Sequence, residues 1–210
     1  MEKITAGLLL DIGAVFLRPN EPFTWASGIK SPIYCDNRLI LSYPEVRRRI
    51  EAALAAMIIE SYPTAEVLAG TAMAGIAHAA LVAEILNLPM AYVRATAKDH
   101  GRQNRIEGRI SAGQKVVVVE DLISTAGSVI EVVEAIQEIG AEVLGIASIF
   151  NYEMERAIER LAKANVKNTS LSGFSALIEV SIERGTLFKD DISKLIAFQK
   201  DPQDPSWQDL

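Results

Sequence analysis

The sequence predicts an α/β fold built on a doubly wound, mostly parallel sheet flanked by helices, with a small flap or hood at the N-terminus. Two observations carry this reading. From residue 67 onward, short apolar runs alternate with segments of helical period, the pattern of parallel strands joined by right-handed crossover helices. Val116, Val117, Val118 and Val119 are apolar at every position, as a strand buried on both faces requires.

The elements follow in order. Residues 2–14 read as a helix ending near Gly13. Across residues 15–36, Pro19, Pro22, Gly28 and Pro32 punctuate short β-like pieces, which suits an irregular flap better than a core layer. Residues 43–62 are helical, with Arg47, Arg48 and Arg49 on a solvated face. Strands are expected at 67–69, 90–94, 116–119, 142–150 and about 166–171, with helices at about 74–86, up to Gly140, and at 153–164. Two further helices and a polar, proline-containing run close the chain. The expected division is a hood over residues 1–40 and a core over 41–210 that carries a mobile catalytic loop at 95–109.

Composition excludes several classes. The 210 residues are half hydrophobic, yet no apolar run approaches the roughly 20 residues that span a bilayer. The first sixteen residues, MEKITAGLLLDIGAVF, are broken by Asp11 and lack a cleavage site, so a helix is expected and not a signal peptide. A net charge of −6 argues against nucleic acid, whose binders present a basic face. Cys35 stands alone; no intrachain disulfide can form, and the reducing cytoplasm is the expected location.

The most informative stretch is residues 116–128, VVVVEDLISTAGS. The apolar run ends in Glu120 and Asp121, and Ser124, Thr125, Ala126, Gly127 and Ser128 then open a helix. Small residues let the backbone turn so that several N–H groups converge on an anion at the helix N-terminus. Paired acids at the carboxyl end of a sheet strand lie where open α/β sheets bind ligands. A phosphorylated sugar suits both features, with phosphate in the loop and hydroxyls on the acids. A plain strand–cap–helix junction would need neither two adjacent acids nor five small residues.

One stretch interrupts the alternation. ATAKDHGRQNRIEGR, residues 95–109, is polar and, with Arg94 before it, carries Lys98, His100, Arg102, Arg105 and Arg109 in an otherwise acidic chain. Long connections in compact domains are functional or disordered. A cationic lid closing over an anionic substrate is one reading; an exposed hairpin with solvated charges is the other.

These residues together resemble a known family. VVVVEDLISTAGS matches, position for position, the phosphoribosyl pyrophosphate (PRPP) signature of type I phosphoribosyltransferases. FTWASGIKSPIYCDNR (23–38) and RATAKDHG (94–101) are similar to the flap and catalytic loop of the orotate-specific members. The resemblance covers essentially the whole chain. It implies transfer of ribose 5-phosphate from PRPP to orotate, giving orotidine 5′-phosphate and diphosphate, on the route to UMP. PRPP would be bound by Glu120, Asp121, Leu122, Ile123, Ser124, Thr125, Ala126, Gly127 and Ser128, with Ser124 also touching orotate. Arg94, Lys98 and His100 would hold the departing diphosphate, and Lys98 is the first choice for the essential residue. Mg²⁺ is implied as cofactor, held mainly by PRPP with no direct protein ligand assigned. A homodimer sharing the catalytic loop between subunits is implied too. The chain has one Cys, two His and no GxSxG, in keeping with chemistry that needs positioning and anion stabilisation, not a nucleophile.

The chain departs from the common family pattern at four cations. Ala26 stands for a flap lysine, Ala74 for a lysine in GTAMAG, Ala95 for a lysine opening the loop, and no arginine is evident near 148–153. Lys30 and Arg38 are the candidates for recovering charge at orotate, against the plainer reading that both are surface residues. His78 is expected to pack in the core or an interface, and Cys35 to be a small buried hydrophobe. Two other functions fit less well: a PRPP-dependent transferase for another base, and a non-catalytic PRPP-binding regulator.

Overall fold

The computed structural model describes residues 1–25, 28–94 and 105–210. Helix α1 (Glu2–Asp11) stops short of the expected end because Gly13 turns the chain at φ 66°, a conformation that favours glycine. Four short strands follow: β1 (Val15–Leu17), β2 (Phe23–Thr24), β3 (Lys30–Ser31) and β4 (Ile33–Cys35). They form two antiparallel pairs, β1 with β4 and β2 with β3. This flap lies outside the main sheet, as expected, yet Val15 and Ile33 are fully buried in the common core. A 3-10 stretch (Asn37–Ser42), capped by Asp36, leads into α2 (Pro44–Ser61).

The core alternates as the sequence predicts: β5 (Val67–Thr71), α3 (Ala74–Leu86), β6 (Met90–Val93), β7 (Ile106–Glu107), β8 (Lys115–Ile123), α4 (Gly127–Glu138), β9 (Glu142–Asn151), α5 (Glu155–Lys163), β10 (Asn168–Gly173), α6 (Phe174–Glu183) and α7 (Ile192–Lys200). Six strands form one sheet in the order β10-β9-β8-β5-β6-β7, parallel except for β7. Residues 106–107, inside the stretch read as a loop, therefore close the sheet edge against β6. Two boundaries also move. β8 runs on through Glu120 and Asp121 to Ile123, with Glu120, Leu122 and Ile123 paired to β9, and β10 begins at Asn168.

Val116 to Val119 are each fully buried, contributing roughly 1.5–3 kcal/mol apiece relative to exposure. From β5 the chain moves outward to β6, then returns to place β8 on the other side of β5. The switch point thus falls between the carboxyl ends of β5 and β8, where such sheets open a crevice.

The two chain ends support the flap. α1 is tied to the α6 region by Lys3 with Glu179 and Glu183, by Arg184 with Asp11, and by Ser172 Oγ donating to Glu2 O. Trp25 stacks on Tyr152 at 6.2 Å and meets the edge of Phe198, which in turn meets Trp207. Among the described residues, no helix is long and apolar enough to cross a membrane.

Candidate active site

Thr71 ends β5 and Glu120 lies near the end of β8, on either side of the switch point. The Thr71 hydroxyl donates to Glu120 Oε1 at 2.7 Å, and the same oxygen accepts the Asp121 N–H at 3.0 Å. Asn37, just beyond the flap, donates to the Asp121 carbonyl at 2.7 Å. Glu120 is buried and Asp121 half-buried. Burial first, then the hydrogen bond and charge of Asp121, push the Glu120 carboxyl up to about 8, so near neutral pH the acid pair retains a proton.

A cavity of about 240 Å³ opens here, lined by Thr71, Ala72, Ala74, Glu120, Asp121 and Ser128 among others. Two helices begin on it. Neither α3, at Ala74, nor α4, at Gly127, has a side-chain cap, which leaves first-turn N–H groups for an anionic ligand. Gly75 permits the close start of α3: a Cβ there would overlap the Thr71 hydroxyl and lie 2.5 Å from the Val119 carbonyl. Ala126 turns the chain into α4 at φ 58°, giving the concave run of amides that suits phosphate. The site therefore offers two anion-binding helix ends across from a proton-sharing acid pair. A larger depression of about 370 Å³, between residues 28–30 and the C-terminal turn, has Lys30 as the one charged group of its lining among the described residues.

The expected residues distribute unevenly. Glu120, Asp121, Leu122 and Ser128 line the cavity. Ile123 is buried at the strand end, and Ser124, Thr125, Ala126 and Gly127 form the turn into α4. Arg94 follows β6 on the same sheet rim; its N–H donates to Arg105 O at 2.9 Å and its guanidinium is 3.5 Å from Glu107. Arg105 Nε donates back to Arg94 O at 3.1 Å. Lys98 and His100 lie outside the described residues, as do Ala26 and Ala95.

Arg38 grips Asp36 through two nitrogens at 2.6 and 2.8 Å and lies within electrostatic reach of Asp121 and Tyr34. Lys30 is exposed, donates to Thr24 at 2.8 Å and faces the outer depression. Where an arginine was sought, Tyr152 is buried against Trp25 and close to Cys35. Cys35 is half-buried, not fully buried as expected, with Sγ 3.4 Å from Asn37 Oδ1. His78 is buried, paired with Glu51 at 2.6 Å.

Three residues that support the candidate site escape sequence reasoning: Thr71, Asn37 and Arg160, which donates to the Thr125 carbonyl at 2.9 Å. Thr71 lies in GTAMAG, but nothing local signals its reach to Glu120. The Asn37 and Arg160 contacts span 84 and 35 residues.

Comparisons with known proteins agree with this geometry. The phosphoribosyl transferase domain family matches residues 41–180. The orotate phosphoribosyltransferase of Bacillus cytotoxicus is 59% identical over 207 residues, covering 99% of both chains. The chain belongs to the orotate phosphoribosyltransferase family. Its fold matches the crystal structure of orotate phosphoribosyltransferase from Aeropyrum pernix with a TM-score of 0.75 and 27% identity, over 87% of this chain and 99% of that one. It also matches Leishmania donovani UMP synthase with a TM-score of 0.78 and 25% identity, covering 94% of this chain and 42% of the synthase.

Proposed function

We infer that the chain transfers the 5-phosphoribosyl group of PRPP to orotate, giving orotidine 5′-phosphate and diphosphate in UMP biosynthesis. The observation that carries this is the pairing of two uncapped helix N-termini with the Glu120–Asp121 acids in one cavity. PRPP bears a phosphate and a diphosphate at opposite ends of a ribose, and the cavity answers each part. Residues 124–128 cradle the 5-phosphate, the start of α3 faces the diphosphate, and the acids meet the ribose hydroxyls. Displacement at C1 passes through an oxocarbenium-like state. The Asp121 carboxylate, on a residue whose backbone carbonyl is anchored by Asn37, stabilises positive charge growing on the ring.

Arg94, Lys98 and His100 meet the departing diphosphate in this reading. Ser124 contacts orotate. Arg38, close to Asp121 and Tyr34, is the better placed of the two flap cations for the orotate carboxylate, and Lys30 the poorer. Residues 1–40 serve as the hood over the core.

Mg²⁺ fits the donor set. Two carboxylates and the Thr71 hydroxyl are hard oxygen donors, too few to enclose an ion, which suits a cation that brings phosphate oxygens and water. Among the described residues no cluster of three or more acidic, His or Cys side chains forms a separate metal site. When bound, Mg²⁺ would offset charge on the diphosphate.

A homodimer sharing the 95–109 loop and a cytoplasmic location complete the proposal. Mixing Lys98→Ala and Asp121→Asn chains tests the sharing: activity regained in mixed dimers supports it, and none opposes it. For the reaction itself, diphosphate release from PRPP and Mg²⁺ is followed with orotate, uracil, hypoxanthine or adenine. Turnover with orotate alone is expected; turnover with a purine, or none at all, would overturn the assignment.

A further inference from the structure

We propose that Arg160 is a positioning residue that shapes the phosphate loop from behind and sets its affinity for the sugar's 5-phosphate without touching it. The proposal rests on reading residues 124–128 as that phosphate's cradle.

Arg160 projects from α5, half-buried, and its Nη1 donates to the Thr125 carbonyl at 2.9 Å. The same nitrogen lies 3.1 Å from where a Cβ on Gly127 would stand, so the guanidinium is packed directly against the start of α4. In a trans peptide, the carbonyl and the following N–H point in opposite directions. Drawing the Thr125 carbonyl toward α5 therefore turns the Ala126 N–H away from α5. The orientation of this peptide plane also governs φ at Ala126, which is 58°. That left-handed conformation is costly for any residue with a Cβ and persists where neighbours enforce it. Arg160 enforces it from the residue before, and the Ile130 N–H, bonded to Ala126 O at 3.2 Å, from the residue itself.

Charge adds to shape. Among the described residues no carboxylate lies within ion-pair distance of Arg160. A guanidinium one residue layer behind the cradle adds positive potential where a phosphate would sit.

The test compares Arg160→Ala and Arg160→Lys with Ser128→Ala in the full-length protein. Steady-state kinetics are measured with PRPP varied at saturating orotate, and binding of ribose 5-phosphate and of magnesium diphosphate is measured by calorimetry. Loss of a charge-assisted hydrogen bond predicts that Arg160→Ala raises the PRPP KM about tenfold. The ribose 5-phosphate Kd should rise by a similar factor, while kcat and the diphosphate Kd stay within about twofold, and lysine restores part of the loss. An unchanged ribose 5-phosphate Kd in Arg160→Ala, with a weakened one in Ser128→Ala, overturns this inference alone. An unchanged Kd in both variants overturns the cradle reading as well. Equal losses for ribose 5-phosphate and diphosphate would mark a general structural role and also overturn it. Should Arg160→Ala fail to fold, Arg160→Gln, which keeps one donor, carries the same comparison.

Discussion

The Thr71 hydroxyl donates to Glu120 at 2.7 Å across the point where the sheet reverses direction. That bond links the loop leading into α3 to the acid pair that precedes α4, so the two anion-binding helix ends are coupled through one side-chain contact. Thr71→Val keeps the shape and removes the donor. It should weaken PRPP binding about tenfold, the scale of one buried hydrogen bond, with less effect on orotate KM. Gly75→Ala should act on the same contact sterically, because its Cβ would crowd Thr71 and the Val119 carbonyl. A loss of roughly 1–3 kcal/mol in denaturant unfolding is expected from such overpacking.

Glu120 makes stability depend on pH. Its carboxyl is raised from 4.5 to about 8 in the folded chain, first by burial and then by Asp121. The folded state therefore holds the proton more tightly than the unfolded one. The stabilisation is complete below about 4.5 and is lost as pH rises toward 8. Glu120→Gln removes this dependence. Between pH 5 and 8 the wild-type Tm should fall by roughly 10 °C more than that of the variant, on the scale of 2–4 °C per kcal/mol for a chain of this size. Parallel thermal melts in both proteins check the difference.

The same proton should leave when magnesium arrives with the substrate. Binding of magnesium-loaded PRPP near pH 7 brings positive charge to Glu120 and favours its ionised form. Calorimetry in buffers of differing ionisation enthalpy should show close to one proton released per site. In Glu120→Gln the release should disappear; retention of it would reassign the proton elsewhere.

Glu51 and His78 form a second buried acid–base contact, 2.6 Å apart, between α2 and α3. Glu51 Oε2 and His78 Nε2 have no hydrogen-bond partner among the described residues. Removing one member leaves the other buried and unpaired, which typically costs 3–5 kcal/mol, whereas replacing both with apolar side chains is often close to neutral. His78→Ala should therefore lower unfolding stability far more than the double change Glu51→Leu with His78→Leu. Urea titrations of the three chains decide it.

Lys98 carries the kinetic prediction. If it neutralises the leaving diphosphate, Lys98→Ala lowers kcat by about two to three orders of magnitude, as loss of an electrostatic stabiliser does elsewhere. Circular dichroism and Tm should match wild type. Near-normal turnover would remove this role.

Much of this was legible in the sequence because hydrophobic period and turn chemistry act locally. The valines at 116–119, Gly140 and the alternation after residue 67 each mark their own element. The end of β8 was not legible: Glu120 and Asp121 look like loop residues, yet β9 pairs with Glu120, Leu122 and Ile123 and prolongs the strand. The flap was recognised by its prolines, while its contribution of Val15 and Ile33 to the core depends on β1 meeting β4. The acids and the small-residue turn announce the site. Its supports, Thr71, Asn37 and Arg160, depend on contacts between residues far apart in the chain, and no local pattern encodes such meetings.

Both tryptophans of the chain, Trp25 and Trp207, belong to the aromatic cluster that joins the hood to the C-terminal helices. Indole emission depends on its surroundings, so fluorescence excited selectively at the tryptophans of the unlabelled protein samples this one region. Any ligand that shifts the hood will change the spectrum, which gives equilibrium and stopped-flow experiments an optical signal without an attached dye.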